Sequence, residues 1–227
     1  MKLQAALDFD YRSTNRGQTE ELTIFWTELA QALVGEARES LDIIEVGTPF
    51  VMEYGLAPVR KLKQAFPEKL ILADLKIADA GYYEAAAAFK SGADIATVLA
   101  VTDDATILNA MTAAKEYGRS IMVDMLAVPD LPTRLMQVDA LGVDYICLHT
   151  SKDLQRLDQD MSKSFEVLRN YVKNAKLAIA GGINRTTIEK FAAICPDVII
   201  VGEGITGAAD YGEAAAFFKA AMDAVER

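Results

Sequence analysis

Five apolar runs in this chain carry polar residues at or near their C-terminal ends. Asp8 closes LQAALD, Glu45 lies in IIEVGT, and Asp74 and Lys76 lie in LILADLK. Asp124 lies in SIMVDML and His149 in YICLHT. Acids, a lysine and a histidine are costly to bury without partners, so their recurrence at one end of successive runs implies a shared polar cavity. Asp74 and Lys76 are two apart, which puts both side chains on one side of a strand. Asp79 follows three residues later, completing a D-x-K-x-x-D run. Such a run can be a structural ion-pair cluster. Its place at a strand end, opposite the acid of another strand end, favours chemistry.

Glu45 and Asp74 offer hard oxygen ligands on adjacent strands. Mg2+ commonly takes one or two carboxylates and completes its octahedron with water and substrate oxygens. The same acids could instead be salt-bridged to Lys76, and the two arrangements can coexist. His149 is the single histidine. With an ordinary pKa of about 6.5 it can act as general acid or base near neutrality, against the simpler reading of a satisfied polar residue. One His and two Cys argue against a structural zinc site, so any metal is expected on carboxylates.

These residues need elements to position them. Runs begin near Leu70, Ile95, Ser120 and Tyr145, 25 residues apart each time, with further runs at Leu3, Ile43, Leu177 and Val198. Amphipathic stretches lie between them, at 57–66, 82–91, 105–117, 131–141, 165–174, 186–194 and 211–225. Gly92-Ala93-Asp94 and Gly142-Val143-Asp144 each join a helix end to a strand. Eight strand–helix units of about 28 residues predict a single-domain (β/α)8 TIM barrel over residues 1–227. A doubly wound sheet is the alternative, weakened by the lack of G-x-G-x-x-G after the first strand. The irregular region is 9–40, an extended β1–α1 connection. It holds a polar loop over 11–18 and a helix starting near Thr19, with Trp26, Leu29, Ala30 and Leu33 on its apolar face.

In such a barrel the chemistry sits at the C-terminal ends of the strands, and the loops after strands seven and eight commonly bind phosphate. Gly181-Gly182-Ile183-Asn184 and Gly202-Glu203-Gly204 fill those places. Glu203 conflicts with an anion: either its side chain points away or the pocket is not for phosphate. Met122, Met125, Met136, the aromatics and Cys147 read as packing. Ala85 to Ala88 reads as a close helix contact.

The chain has 227 residues, 33 acidic against 23 basic, leaving ten net negative charges. At 52% hydrophobic and 25% charged it should fold around a large core. The acidic balance argues against nucleic acid and anionic membranes as partners. No run approaches a membrane span, the start lacks a signal-peptide plan, and two Cys make no disulfide framework. A cytoplasmic protein is the expectation.

IIEVGTPF (43–50), ADLKIADAG (73–81), VDMLAVPD (123–130), GVDYICLHTSKD (142–153), AIAGGIN (178–184) and VGEGITGAAD (201–210) together resemble the 3-hexulose-6-phosphate synthases. These are (β/α)8 barrels of the orotidine-5′-phosphate decarboxylase suprafamily. The resemblance implies a Mg2+-dependent aldolase that joins formaldehyde to D-ribulose 5-phosphate, giving D-arabino-hex-3-ulose 6-phosphate. It implies Glu45 and Asp74 as metal ligands, Lys76 supporting an enediolate, and His149 shuttling a proton at substrate C1. It further implies Asp8 on substrate hydroxyls, and Gly181, Gly182, Gly202 and Gly204 near phosphate. Asp79 would reach the neighbouring site of a homodimer. The related 3-keto-L-gulonate-6-phosphate decarboxylases end strand five in a Glu-Leu-Tyr-Gly-like segment and strand six in His-Arg. Asp124-Met125-Leu126-Ala127 and His149-Thr150 favour the synthase. A non-catalytic binding barrel is a further alternative, opposed by the intact polar set. The stretch from Asp8 to Glu45 is longer than usual in the family, and Glu203 stands where a small residue is common.

Overall fold

Each of the eight apolar runs is a strand because each is buried on both faces, inward against the barrel axis and outward against helices. The strands are β1 (Lys2–Leu7), β2 (Ile43–Val46), β3 (Leu70–Ile77), β4 (Ile95–Leu99), β5 (Ser120–Asp124), β6 (Tyr145–His149), β7 (Lys176–Ala180) and β8 (Val198–Val201). They close in chain order into a parallel barrel, with β1 pairing both β2 and β8. The computed structural model describes residues 1–8, 20–155 and 162–225. The polar loop expected over 11–18 lies outside the described residues.

Helices α1 (Glu20–Ala37), α2 (Thr48–Tyr54), α3 (Ala57–Ala65), α4 (Gly81–Lys90), α5 (Asp104–Tyr117) and α6 (Leu131–Ala140) cover the first five strands and lead into β6. The short α7 (Lys152–Gln155) and α8 (Ser162–Leu168) precede β7, α9 (Ile188–Ala192) precedes β8, and α10 (Glu203–Thr206) and α11 (Tyr211–Val225) close the chain's described part. The helix expected over 165–174 is divided: α8 ends at Leu168 and a 3-10 turn spans Arg169–Tyr171. The one expected from 186 begins at Ile188, because the Asn184 side chain accepts from both the N–H and the hydroxyl of Thr186 and holds that segment as a turn. No helix among the described residues is long and apolar enough to cross a membrane.

Strand alternation sorts the core into two layers. Ile43, Leu72, Ile95, Met122, Cys147, Ala178, Val198 and Ile200 fill the barrel interior. Ile44, Ile71, Ala96, Val123, Ile146, Ile179 and Ile199 face the helices. Cys147 and the methionines Met122 and Met125 are core as expected. Met136 is not: it is half exposed, since it lies one residue, about 100°, round α6 from buried Leu135. Phe25 and Tyr83 are likewise exposed rather than packed. Ala85, Ala86 and Ala88 are buried, and a Cβ at Gly81 would lie 2.1 Å from the Thr106 carbonyl oxygen, so α4 and α5 meet at backbone distance.

The N-terminal rim is pinned by aspartates that immediately precede the even-numbered strands. Asp42, Asp94, Asp144 and Asp197 each accept a backbone N–H from the preceding odd-numbered strand: Leu3, Ile71, Ile121 and Leu177, at 2.8–2.9 Å. Asp94 also binds Lys63 at 2.8 Å and pairs with Arg119.

Candidate active site

At the opposite rim the inward polar residues converge on a cavity of about 1310 Å3, lined by Asp8, Glu45, Asp74, Lys76, Asp124 and His149 among others. Gly181, Gly182, Gly202, Glu203 and Gly204 line its other side.

β3 departs from regular pairing here. Ala73 pairs with Ala96 and Ile77 with Val98, so three residues of β3 face the single residue Thr97 of β4. Lys76 takes a left-handed backbone, φ 48°, which costs a non-glycine residue about 1 kcal/mol. Strain of this kind persists where surroundings over-determine it, commonly at functional sites. Thr97 does the fastening: its Oγ1 accepts from the Lys76 N–H at 2.9 Å and donates to Asp74 Oδ1 at 2.7 Å. Thr48 donates to Asp74 Oδ2 at 2.7 Å, and Lys76 Nζ reaches the same oxygen at 2.5 Å.

The electrostatics split the two neighbouring acids. Burial pushes Asp74 up, but the Lys76 ammonium and the two threonine hydroxyls outweigh it and hold its carboxyl below the usual range. For Glu45, burial comes first and repulsion from Asp74 and Asp8 adds to it; Lys76 and Gln4 only partly offset them, so its carboxyl stands well above the usual range. Asp8 is raised by burial and then by Asp74. Burial pulls Lys76 down, yet Asp74 and Asp124 together hold its ammonium above the ordinary lysine range. Opposed directions in adjacent carboxyls are a mark of sites that divide acid and base roles.

Asp124 joins the lysine to the histidine. Its Oδ2 lies 2.9 Å from His149 Nδ1 and 3.7 Å from Lys76 Nζ, while its Oδ1 accepts from the Leu126 N–H at 3.0 Å. An acceptor on Nδ1 favours the tautomer protonated there, leaving Nε2 to act as base. Beneath them Cys147 is buried, and burial together with Asp124 and Glu45 pushes its thiol well up, so it stays neutral.

The residues expected from sequence, Asp79 excepted, share this cavity. Asp79 is exposed beyond β3, where its Oδ1 accepts from the Ala80 N–H at 2.7 Å, and it is not among the lining residues. Gly204 lines the cavity, but packing explains its lack of a side chain: a Cβ would lie 2.9 Å from both Phe218 and Val201. Gly181 and Gly182 have φ of 93° and 73°, which glycine adopts readily. Glu203 is exposed at the start of α10, and Lys152, also exposed, lines the cavity from α7. Sequence reasoning missed Gln4, Thr48 and Thr97, and also Gly47, where a Cβ would lie 1.9 Å from Asp8 Oδ1. Gln4 on β1 and Asp8, just past its end, are four apart in an extended run and therefore point to one side, a signal that was available.

Among the described residues no group of three His, Cys, Asp or Glu is arranged as a metal centre. A Mg2+ site needs only one or two carboxylates. The donor set fits one: Asp8, Glu45 and Asp74 repel one another, and Asp8 Oδ1 is buried with no hydrogen-bond partner among the described residues.

A family model described as orotidine 5′-phosphate decarboxylase / HUMPS matches residues 1–218. The 3-hexulose-6-phosphate synthase of Bacillus subtilis (strain 168) is 49% identical over 187 residues, covering 82% of this chain and 89% of that protein. The solved 3-hexulose-6-phosphate synthase from Salmonella typhimurium is 36% identical with a TM-score of 0.88, over 99% of this chain and 100% of that one. A solved 3-keto-L-gulonate-6-phosphate decarboxylase from Vibrio cholerae shares the fold at TM-score 0.80 and 24% identity, over 99% and 98% of the chains. With the barrel, the rim residues and the match over residues 1–218 in agreement, the chain belongs to the orotidine 5′-phosphate decarboxylase / HUMPS family.

Proposed function

We propose that this enzyme is a carbon–carbon lyase of the 3-hexulose-6-phosphate synthase kind, joining formaldehyde to D-ribulose 5-phosphate to give D-arabino-hex-3-ulose 6-phosphate. The observation that carries the reading is the Asp74–Lys76–Asp124–His149 chain of contacts on the cavity wall, and its relatives' names support it. Glu45 and Asp74 would hold Mg2+, which when bound supplies Lewis-acid stabilisation to developing oxyanion charge.

The residues then divide the work. His149, held by Asp124, takes a proton from substrate C1 at Nε2. The electron pair left behind is delocalised into the adjacent carbonyl as an enediolate. The Lys76 ammonium, already fixed by Asp74, faces that charge without reorganising. C1 attacks the formaldehyde carbon, one carbon–carbon bond forms, and the former aldehyde oxygen gains a proton to become the new terminal hydroxyl. Nothing leaves, as an aldol addition requires. Asp8, kept in place because residue 47 has no side chain, would accept from substrate hydroxyls. Backbone N–H groups of Gly181, Gly182, Gly202 and Gly204 would receive the phosphate, with Lys152 offsetting Glu203. In a homodimer, exposed Asp79 would serve the partner's cavity.

The test is a purified-protein assay with ribulose 5-phosphate, formaldehyde and Mg2+, run beside one with 3-keto-L-gulonate 6-phosphate. The expected result is formaldehyde consumption in the first and no CO2 in the second. CO2 release with no formaldehyde consumption would assign the decarboxylase reaction instead. Silence in both, with no ribulose 5-phosphate binding, would contradict the reading. Sedimentation of the wild-type chain checks the dimer, and a monomer with full turnover would overturn the shared role of Asp79.

A further inference from the structure

Gln4 is an amide in an otherwise apolar layer. Its register partners are Ile43 on β2 and Ile200 on β8, both part of the barrel interior, and it is fully buried. Its Nε2 donates to Glu45 Oε2 at 2.5 Å. The opposite setting of the amide would put its oxygen against a carboxylate oxygen, two acceptors together. In the observed setting Gln4 Oε1 is buried and has no hydrogen-bond partner among the described residues. An unpaired buried acceptor weakens a fold, and an apolar side chain of the same length would fill this place without it. The contact with Glu45 is what the amide provides in return.

We propose that Gln4 is a positioning residue for Glu45, fixing the plane of that carboxylate so that it can receive a divalent cation. The inference rests on the metal role proposed above for Glu45. Outer-shell partners of metal ligands typically change metal affinity by about 10–100-fold when removed.

Gln4→Met keeps the length of the side chain and removes the hydrogen bond; Gln4→Leu serves if the methionine variant fails to fold. Mg2+ binding is measured by calorimetry without substrate on the full chain, together with its melting temperature. The expected result is Mg2+ binding weakened by about tenfold or more in a variant that still unfolds cooperatively, whatever the shift in melting temperature caused by leaving Glu45 Oε2 without its amide donor. A purely structural glutamine would give a lower melting temperature and unchanged affinity, and that result would overturn the proposal. Binding by the wild type with equal affinity in the variant overturns the role of Gln4 alone. Absence of Mg2+ binding in the wild type overturns the metal role of Glu45 and this inference with it.

Discussion

At the N-terminal rim, Asp42, Asp94, Asp144 and Asp197 each accept a backbone N–H of a neighbouring strand. At the C-terminal rim, Asp8, Glu45 and Asp74 crowd one another around a cavity. The first set is matched to donors that the fold itself supplies. The second keeps repulsion, an Asp8 oxygen with no hydrogen-bond partner among the described residues, and a strained lysine backbone. These seven carboxylates therefore do two different things. One rim uses carboxylates to hold strands in register; the other leaves Asp8 and Glu45 under-matched beside an Asp74 held by Lys76, Thr48 and Thr97, as a site awaiting cationic or hydroxyl partners must.

The contrast can be broken by exchanging carboxylates for amides at each rim. The largest effect is expected at Asp94, where two cations and a strand N–H converge on a buried group. Asp94→Asn should lower stability by about 3–5 kcal/mol, read by denaturant unfolding, with little change in turnover of the folded fraction. Asp124→Asn should do the reverse. Losing the acceptor that orients His149 should cut kcat by roughly 100-fold and alter the pH profile, while the melting curve stays close to that of the wild type.

Asp139 sharpens the fold side through pH. It is buried after Val138 near the end of α6 and accepts from the N–H groups of Lys173, Asn174 and Ala175 ahead of β7. Burial raises its pKa, but those bonds win and hold it below the ordinary 3.8. A carboxyl lowered in the folded state contributes stability above its unfolded pKa and loses it as pH falls through the folded one. Asp139→Asn should therefore cost about 2 kcal/mol near neutrality and progressively less in acid; an equal cost at all pH values would refute this. The smallest effect is expected at the cavity edge. Glu203→Gly removes a negative charge from the proposed phosphate loops and should lower KM for ribulose 5-phosphate by a few-fold without changing kcat.

Much of this was legible in the residues alone. Barrel strands buried on both faces leave continuous apolar runs, and eight of them, four starting 25 residues apart, point to the architecture. Asp8, Glu45, Asp74, Asp124 and His149 stood out because each interrupts such a run at its C-terminal end. Thr97 did not, since threonine fits a strand body, and its importance comes from the register shift beside it. Thr48 and Gly47 act through a neighbouring strand, which spacing along one chain does not show. Gly204, expected near phosphate, lines the cavity, and Phe218 and Val201 leave no room for a side chain there. The rim aspartates were visible as Gly-x-Asp ahead of two strands, while the backbone N–H each one holds belongs to a different strand.

The central claim is that the C-terminal carboxylates are placed for chemistry, and Asp74 tests it most directly. Asp74→Asn keeps the size of the side chain within reach of Thr48 and Thr97. Assayed with ribulose 5-phosphate, formaldehyde and Mg2+, the variant should lose turnover while still folding cooperatively, melting lower than the wild type because Lys76 loses its carboxylate partner. Full activity, or collapse of the fold with no recoverable native protein, would contradict the account.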